Sequence, residues 1–245
     1  MDLQIDKLHT IDSTNDYIKS MIKEKNLEKD KVVWALEQTK GKGQMGTSWS
    51  SNKGENLTFS VFRKIKSLHI DEQFYAVMAA SLAVKNVLGK LLIKKVRVKW
   101  PNDILSDKKK ICGILIESVI KKRKLDAMII GIGLNVNQME WDNLKRVTSI
   151  KNEIGIHFYL EEVLTMLLQQ FHHYVDLLLN KEFEVIKADY EKFLFRNKKP
   201  STFKRKDESL FTGIIQGVTQ SGKLILLEED EIINEYDLKE IQLLF

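Results

Sequence analysis

Apolar side chains recur along this chain with two periods, and the change of period predicts where helices alternate with strands. Apolar residues three or four positions apart are typical of a helix with one buried face. This spacing predicts helices that begin near Asp12 and that span 71–92, 160–180 and 182–195. Short runs of β-branched and aromatic residues are typical of strands. We expect strands at 3–9, 31–37, 56–63 and 94–99.

The pattern after Pro200 differs from that of the rest of the chain. Short strand-like runs follow one another closely, and Gln220-Ser221-Gly222 is a tight-turn sequence between two of them. A tail of about 45 residues with this spacing is typical of a small SH3-like barrel. We therefore expect a large domain at 1–197 and a small one at 198–245. The predicted tail strands are 201–206, 209–218, 223–229, 232–237 and 240–245.

Composition limits the class of protein. The chain has 245 residues, of which 43% are hydrophobic, so it can bury a core. Its 39 basic and 34 acidic residues leave a net charge of +5. The basic excess lies in short clusters typical of solvated turns, without a stripe interleaved with aromatic residues and without a helix-turn-helix before the first strand. We expect no sequence-specific DNA binding.

The only cysteine, Cys112, cannot form an intrachain disulfide, which argues against an oxidising compartment. A lone cysteine in an apolar strand is usually a packing residue rather than a nucleophile. The first residues lack the basic and apolar regions of a signal peptide. No apolar run reaches the roughly 18 residues needed to cross a bilayer. We expect a cytoplasmic protein without membrane contacts.

The loop after the second predicted strand, Gly41-Lys42-Gly43-Gln44-Met45-Gly46, concentrates three glycines and a lysine. Backbone without Cβ atoms allows successive N–H groups to approach an anion closely. The spacing does not fit the Walker A motif, which needs Gly-Lys-Ser/Thr after four residues. It does not fit the dinucleotide-binding motif either, because the residues that follow do not indicate a helix start. The loop predicts an anionic ligand without naming it, and a surface hairpin turn is the alternative.

Two strand-like runs at 111–120 and 126–136 flank a basic turn and predict a hairpin. Pairing centred on that turn places Lys110 opposite Asn135. Alternation of faces then puts this lysine beside Gly131 and Gly133, where the absent side chains leave room for a ligand. A β-bulge with a solvent-facing lysine is the alternative. The remaining expected pairs are Cys112 with Gly133 and Ile114 with Gly131.

The segment Lys99-Trp100-Pro101-Asn102-Asp103 lies just before this hairpin. The residue before a proline is held extended, so we expect a fixed turn that displays Lys, Asn and Asp side chains together. A cation with a carboxylate nearby suits a nucleotide phosphate and its Mg²⁺. An ordinary capped turn would also explain the segment.

Taken together, these segments resemble the biotin protein ligases in order and in spacing, over nearly the whole chain. The chain is similar to the short, catalytic members of that family without an N-terminal DNA-binding domain. The matching segments are Asp12-Ser13-Thr14-Asn15, Gln38-Thr39-Lys40 with the loop Gly41 to Gly46 and Trp49, Lys99 to Asp103, Lys110-Ile111-Cys112-Gly113-Ile114-Leu115-Ile116-Glu117, and Gly131-Ile132-Gly133-Leu134-Asn135-Val136-Asn137.

The resemblance implies an α+β fold of the class II synthetase-like type, with helices packed on a mixed or antiparallel sheet, and a C-terminal SH3-like barrel. It also implies a two-step reaction. The carboxylate of biotin attacks the α-phosphate of ATP, which enters with Mg²⁺, to give biotinyl-5′-AMP and pyrophosphate. A lysine of a biotin carboxyl carrier domain, part of a biotin-dependent carboxylase, then attacks the mixed anhydride. Neither step needs a protein nucleophile.

The resemblance also assigns roles to individual residues. Lys110 would be the catalytic residue that contacts the biotin carboxylate and the reacting phosphate, and Asp103 would hold the metal. The biotin site would comprise Ser13, Thr14, Asn15, Gln38, Gly41, Lys42, Gly43, Gln44, Lys110, Gly113, Gly131 and Gly133. The ATP site would comprise Lys42, Gln44, Trp49, Lys99, Asn102, Asp103, Lys110 and Asn135.

The chain departs from the family at two loop positions. The usual loop is Gly-Arg-Gly-Arg-x-Gly, but Lys42 and Gln44 stand at the arginine positions. Lysine keeps the charge and loses the bidentate fork, and glutamine loses the charge as well. We therefore expect retention of the acyl-adenylate to depend less on salt here than with arginine.

Two other functions remain open at this point. Lipoate or octanoate ligases share the fold and the acyl-adenylate chemistry, although the Trp-Pro-Asn-Asp segment favours biotin. A non-catalytic binding module or a DNA-binding regulator would release no pyrophosphate, and the missing helix-turn-helix argues against the regulator. We expect a monomer or a homodimer.

Overall fold

The computed structural model describes residues 4–25, 27–65, 68–121, 124–142 and 144–245. Its larger part is a seven-stranded sheet with five helices. The strands are β1 (Gln4–Ile11), β2 (Lys31–Gln38), β3 (Leu57–Lys64), β4 (Val96–Lys99), β5 (Asp103–Ser106), β6 (Lys109–Lys121) and β7 (Lys124–Leu134). The helices are α1 (Thr14–Lys25), α2 (Phe74–Lys90), α3 (Ile150–Ile154), α4 (Leu160–Leu179) and α5 (Phe183–Lys192).

The sheet has the order β1-β2-β3-β7-β6-β5-β4, with β1 parallel to β2 and antiparallel pairing elsewhere. Helix α2 packs on one face, where its fully buried Met78 and Leu82 join the main core, and α4 and α5 pack against α2. Helix α1 covers part of the opposite face. Its Ile18 and Met21 pack against strand residues there that include Phe62. Helices therefore cover part of both faces of the sheet. On the face of α1, the uncovered part lies beyond the N-terminus of that helix.

A separate five-stranded antiparallel sheet forms the C-terminal part, in the order β11-β10-β9-β8-β12. The backbone N–H of Val218 donates to Glu191 on α5 at 2.9 Å, and the indole N–H of Trp100 donates to the carbonyl of Gly222 at 2.8 Å. These bonds tie the small sheet to the large part. Its strands agree with the expected five: β8 (Pro200–Arg205), β9 (Leu210–Val218), β10 (Leu224–Glu228), β11 (Ile233–Tyr236) and β12 (Ile241–Leu244).

The hairpin of β6 and β7 exists, but its expected register was wrong. Cys112 pairs with Leu134 rather than with Gly133, and Gly113 takes that place. The register shifts between Val119 and Ile120, where Asp126 is an extra residue on β7. This bulge displaces every pair farther from the turn by one position. The expected pair Ile114–Gly131 was wrong for the same reason, and Lys110 bridges to Val147 instead of pairing with Asn135. Lys122 and Arg123 of the turn lie outside the described residues.

Three local findings complete the fold. Strand β5 follows the Trp-Pro-Asn-Asp segment directly, where we expected only a turn. Cys112 is fully buried and its burial raises the pKa of the thiol, which confirms its reading as a packing residue. Among the described residues, no helix is long and apolar enough to cross a membrane.

Candidate active site

A pocket of about 280 Å³ lies on the sheet face that α1 covers in part. Its floor is formed by Gly131 and Gly133 on β7 and by Gly113 on β6. Side chains on a strand alternate between faces, so the floor continues the row of Ile129, which packs beneath α1. Along β7 the row therefore changes from the apolar side chain of Ile129 to glycine at the N-terminal end of α1. This change creates the pocket.

The N-terminus of α1 supplies one wall. The Ser13 hydroxyl accepts a bond from the N–H of Asp16 at 3.4 Å and caps the helix. Thr14 donates its N–H and its hydroxyl to Oε1 of Gln38, at 2.8 and 3.0 Å. The Ser60 hydroxyl lies 2.6 Å from both the Thr14 hydroxyl and Oδ1 of Asn15. This wall is polar and uncharged, and it suits a neutral ligand group that both donates and accepts hydrogen bonds.

A chain of polar contacts fixes Asn15 over the floor. Its Nδ2 donates to Glu117 on β6 at 2.8 Å, and the other oxygen of Glu117 accepts from Lys19 at 2.6 Å. A Cβ on Gly131 would approach Oδ1 of Asn15 to 2.5 Å. Glycine at this position therefore leaves room for Asn15.

Lys110 reaches the pocket because of a second bulge. On β6, Lys110 pairs with Leu105 and Cys112 pairs with Ile104, so Ile111 is the extra residue. The extra residue reverses the alternation and brings the Lys110 side chain to the face of Gly113. A bulge was the alternative considered from the sequence, but there it carried a solvent-facing lysine.

The Lys110 ammonium group lies beside Gly113 of the floor and beside a carboxylate. Its Nζ is 2.6 Å from Oδ1 of Asp103, and a Cβ on Gly113 would approach that nitrogen to 3.2 Å. The segment after β7 holds the Lys110 backbone: its N–H donates to Arg146 and its carbonyl accepts from Thr148. The lysine is fixed in the pocket by its main chain and by Asp103.

The segment before β5 is also held firmly. Asn102 exchanges two bonds with Ile114: its Nδ2 donates to the carbonyl at 2.5 Å and its own carbonyl accepts at 3.1 Å. Asp103 then begins β5 at the pocket edge. Lys99 lies farther out, with its Nζ 3.9 Å from Asp103 and 5.5 Å from the ring centre of Phe245. We expected Lys99, Asn102 and Asp103 to face one ligand. Asn102 and Asp103 line the pocket, and Lys99 does not.

The glycine-rich loop forms a small hairpin over the pocket. Its return limb runs close to its outgoing limb, so a Cβ on Gly41 would meet the Trp49 carbonyl oxygen at 2.3 Å. Its tip is a short 3₁₀ turn in which Met45 adopts a left-handed φ of 56°. Lys239 of the C-terminal part donates to the Met45 carbonyl at 3.3 Å. The loop is thus in contact with both parts of the protein.

Trp49 occupies the floor that we expected to be bare. A Cβ on Gly133 would approach its indole to 2.4 Å, and one on Gly113 would approach it to 3.1 Å. Its buried Nε1 has no hydrogen-bond partner in the part of the chain that the structure describes. The glycines of the floor therefore make room for an aromatic ring of the protein itself.

Most of the expected site residues line this pocket, and three lie elsewhere. Gly41 is buried at the base of the loop, and Lys99 lines the neighbouring cavity beneath Phe245. Asn135 is 2% exposed and donates to the carbonyl of Thr148 at 3.0 Å. The pocket is also lined by six residues that were not predicted as site residues, namely Thr47, Ser48, Phe59, Ile114, Leu115 and Ile132.

The charges of the lining suit an anion with a metal ion. Lys42, Lys110 and Asp103 give the lining a net charge of +1. Among the described residues no group of three or more His, Cys, Asp or Glu side chains could hold a metal by itself. Mg²⁺ is commonly held by one or two carboxylates together with substrate phosphates. A single carboxylate at the pocket edge therefore fits a metal that arrives with a nucleotide.

Comparison with known proteins identifies the family. A sequence model of the Biotin/lipoate A/B protein ligase family matches residues 8–135, a stretch that contains the whole pocket lining. This chain belongs to that family. It is 30% identical over 242 residues to the "Bifunctional ligase/repressor BirA" of Escherichia coli, which covers 96% of this chain and 73% of the relative.

A second relative and a solved structure support the same family. The "Biotin--[acetyl-CoA-carboxylase] ligase" of Paracoccus denitrificans is 29% identical over 202 residues, 79% of this chain and 82% of the relative. The structure of the biotin protein ligase from Aquifex aeolicus in complex with biotin and ATP is 27% identical and covers 98% of each chain, with a TM-score of 0.81. The family membership and the fold thus agree over nearly the whole length.

Proposed function

We propose that this protein is an ATP-dependent biotin protein ligase. It activates biotin as biotinyl-5′-AMP with release of pyrophosphate, and it then transfers the biotinyl group to a lysine of a carrier domain in a biotin-dependent carboxylase. The observation that carries the proposal is the position of Lys110. Its ammonium group lies between a polar uncharged wall and a carboxylate suited to Mg²⁺, where a carboxylate and an α-phosphate would meet.

The first step requires two anions to approach each other. The carboxylate oxygen of biotin attacks the α-phosphorus, the bond to the bridging oxygen breaks, and pyrophosphate leaves. Lys110 would stabilise the charge that develops on the phosphate oxygens, which is a typical way for an enzyme to lower such a barrier. Mg²⁺ at Asp103 would supply Lewis-acid stabilisation of the phosphates.

The second step requires positioning alone. The neutral amine of the acceptor lysine attacks the acyl carbon, and AMP leaves with the electrons of the acyl–phosphate bond. Holding the intermediate in a fixed orientation supplies much of the rate advantage in such reactions. The loop at 41–49 would cover the intermediate, since it already forms one side of the pocket.

We propose the following division of roles. The ureido group of biotin would bind at the uncharged wall of Ser13, Thr14, Asn15 and Gln38. The nucleotide would bind near Asn102, Asp103 and Lys99, with Lys42 and Gln44 of the loop and Trp49 beside it. Asn135 would act through the backbone, because its bond to Thr148 supports the segment that holds Lys110. Residues 198–245 would form the SH3-like domain.

One experiment separates this function from its rivals. The purified protein is incubated with ATP, Mg²⁺ and either biotin or lipoate, and pyrophosphate release is followed. We expect release with biotin and not with lipoate, and then label transfer from biotin to a carrier domain. Release with lipoate alone would indicate a lipoate ligase, and release with neither acid would refute the enzyme. Omitting Mg²⁺ tests the role of Asp103, and release that needs no divalent metal would contradict it.

A further inference from the structure

Both lysines of the pocket lining are held by a carboxylate, but the two carboxylates lie in different places. Lys110 pairs with Asp103, which itself lines the pocket. Lys42 pairs with Asp16, and its Nζ lies 2.6 Å from Oδ2. Asp16 lies in the first turn of α1 and lines a separate surface depression. It therefore touches the pocket through Lys42.

Lys42 is the main partner of this carboxylate. The other cation nearby, Lys19, is 3.4 Å from Asp16 but only 2.6 Å from Glu117. Burial acts to raise the pKa of Asp16, but the hydrogen bonds from Lys42 and Lys19 outweigh it and lower the pKa overall. The carboxylate is therefore ionised at neutral pH and engages Lys42.

The pairing matters because of the composition of the loop. In the loop Gly41 to Trp49, Lys42 is the one charged residue, since Gln44 is neutral. While Lys42 is paired with Asp16, the carboxylate balances its charge, and the pair attracts an anion in the pocket less than a free lysine would. When Lys42 leaves Asp16, the loop offers one positive charge.

We propose that Asp16 is a positioning residue that competes with the phosphate of bound biotinyl-5′-AMP for Lys42 and thereby sets how fast the intermediate is released. The inference rests on the proposed function and adds a residue to it. A neutral side chain at position 16 would free Lys42 to contact the phosphate. This change slows the release of the intermediate.

The size of the effect follows from the exposure of the pair. The Asp16 side chain is 37% exposed and that of Lys42 is 49% exposed. Ion pairs with such exposure have small coupling energies, so we expect Asp16→Asn to slow release by roughly twofold to fivefold. Salt should reduce this difference, because mobile ions screen exposed charges.

The test measures dissociation of synthetic biotinyl-5′-AMP by stopped-flow, with the intrinsic tryptophan fluorescence of the protein as the signal. It compares the wild type with Asp16→Asn, Lys42→Met and the double variant. We expect Asp16→Asn to slow dissociation when Lys42 is present and to have little effect in the Lys42→Met background. Unchanged or faster dissociation would overturn the proposal. Equal slowing in both backgrounds would also overturn it, because Asp16 would then act without Lys42.

A matched control and a separate readout distinguish the failures. Glu37 pairs with Lys53, and its side chain is 37% exposed, as is that of Asp16. We expect Glu37→Gln to leave the dissociation rate unchanged. If it slows dissociation as much as Asp16→Asn does, the effect comes from net charge alone and the proposal is overturned. Pyrophosphate release by the wild type tests the ligase function independently, whereas the comparison of variants tests Asp16 alone.

Discussion

One face of the large sheet has two halves that share the same strands but differ in the polarity and the size of their side chains. Beneath α1 the face is apolar, and Ile18 packs in one cluster with Phe62 and Ile129, each at most 1% exposed. Beyond the helix the same strands carry Ser60, which is buried against Thr14 and Asn15, and Gly131, which lines the pocket. The comparison teaches that the floor of a site can arise on a continuous sheet by a change of side-chain size along its strands.

The first prediction removes the charge from the open half. Lys110→Ala should lower the rate of biotin-dependent pyrophosphate release by about 10²- to 10³-fold, a typical effect of removing a group that stabilises transition-state charge. Initial rates at saturating biotin and ATP measure it. The control is Lys109→Ala, since Lys109 is an exposed neighbour on the same strand. Activity that survives the loss of Lys110 would contradict its role.

The second prediction disturbs the covered half. Ile18→Ala should destabilise the protein by about 2–5 kcal/mol, because a large side chain is deleted from a fully buried position. Denaturant unfolding followed by circular dichroism measures the change. Activity per folded molecule should stay near that of the wild type. If activity falls while stability is kept, the two halves of the face are not functionally separate.

The third prediction adds one carbon atom to the floor of the pocket. Gly133→Ala places a Cβ 2.4 Å from the Trp49 indole, so the ring must move, and we expect KM for biotin to rise roughly tenfold, as for a small misplacement near a reacting centre. Steady-state kinetics over a range of biotin concentrations measure it. Gly89→Ala is the matched control, because a Cβ there meets nothing within 4 Å. Equal KM values in both variants would show that the indole does not shape the biotin site.

The fourth prediction restores a charge above the open half. Gln44→Arg should slow the release of biotinyl-5′-AMP a few-fold and make that release more dependent on salt, because an added cation faces the phosphate. Off-rates measured over a range of salt concentrations give the slopes. Identical slopes for the wild type and the variant would refute the importance of this position.

Much of the fold could be predicted from periodicity, because the helices and the tail strands bury a regular apolar face. Strand β5 could not, since Asp103–Ser106 is only four residues long and directly follows a proline-containing turn. The small C-terminal sheet agrees with the predicted strands, and its closure into a barrel stays a prediction. The domain boundary after residue 197 also stays a prediction.

The site could be predicted in its residue types but not in its geometry. Lys110 and the floor glycines were expected on one face, and they do meet there, but through bulges at Ile111 and after Val119 rather than through a regular hairpin. Trp49 on the floor could not be foreseen, because nothing in a loop sequence indicates where its aromatic ring folds back. Glu117 was quoted only within a strand motif, and its partly buried hydrogen bond with Asn15 shows that it supports the site.

The bulge at Ile111 has a consequence for protein engineering at this site. The direction of the Lys110 side chain depends on the number of residues between it and Gly113, and only secondarily on what those residues are. Deleting one residue there would turn the amine toward the opposite side of the sheet while every chemical group was retained. A graft of this site onto another scaffold must therefore copy the strand's length together with its lysine.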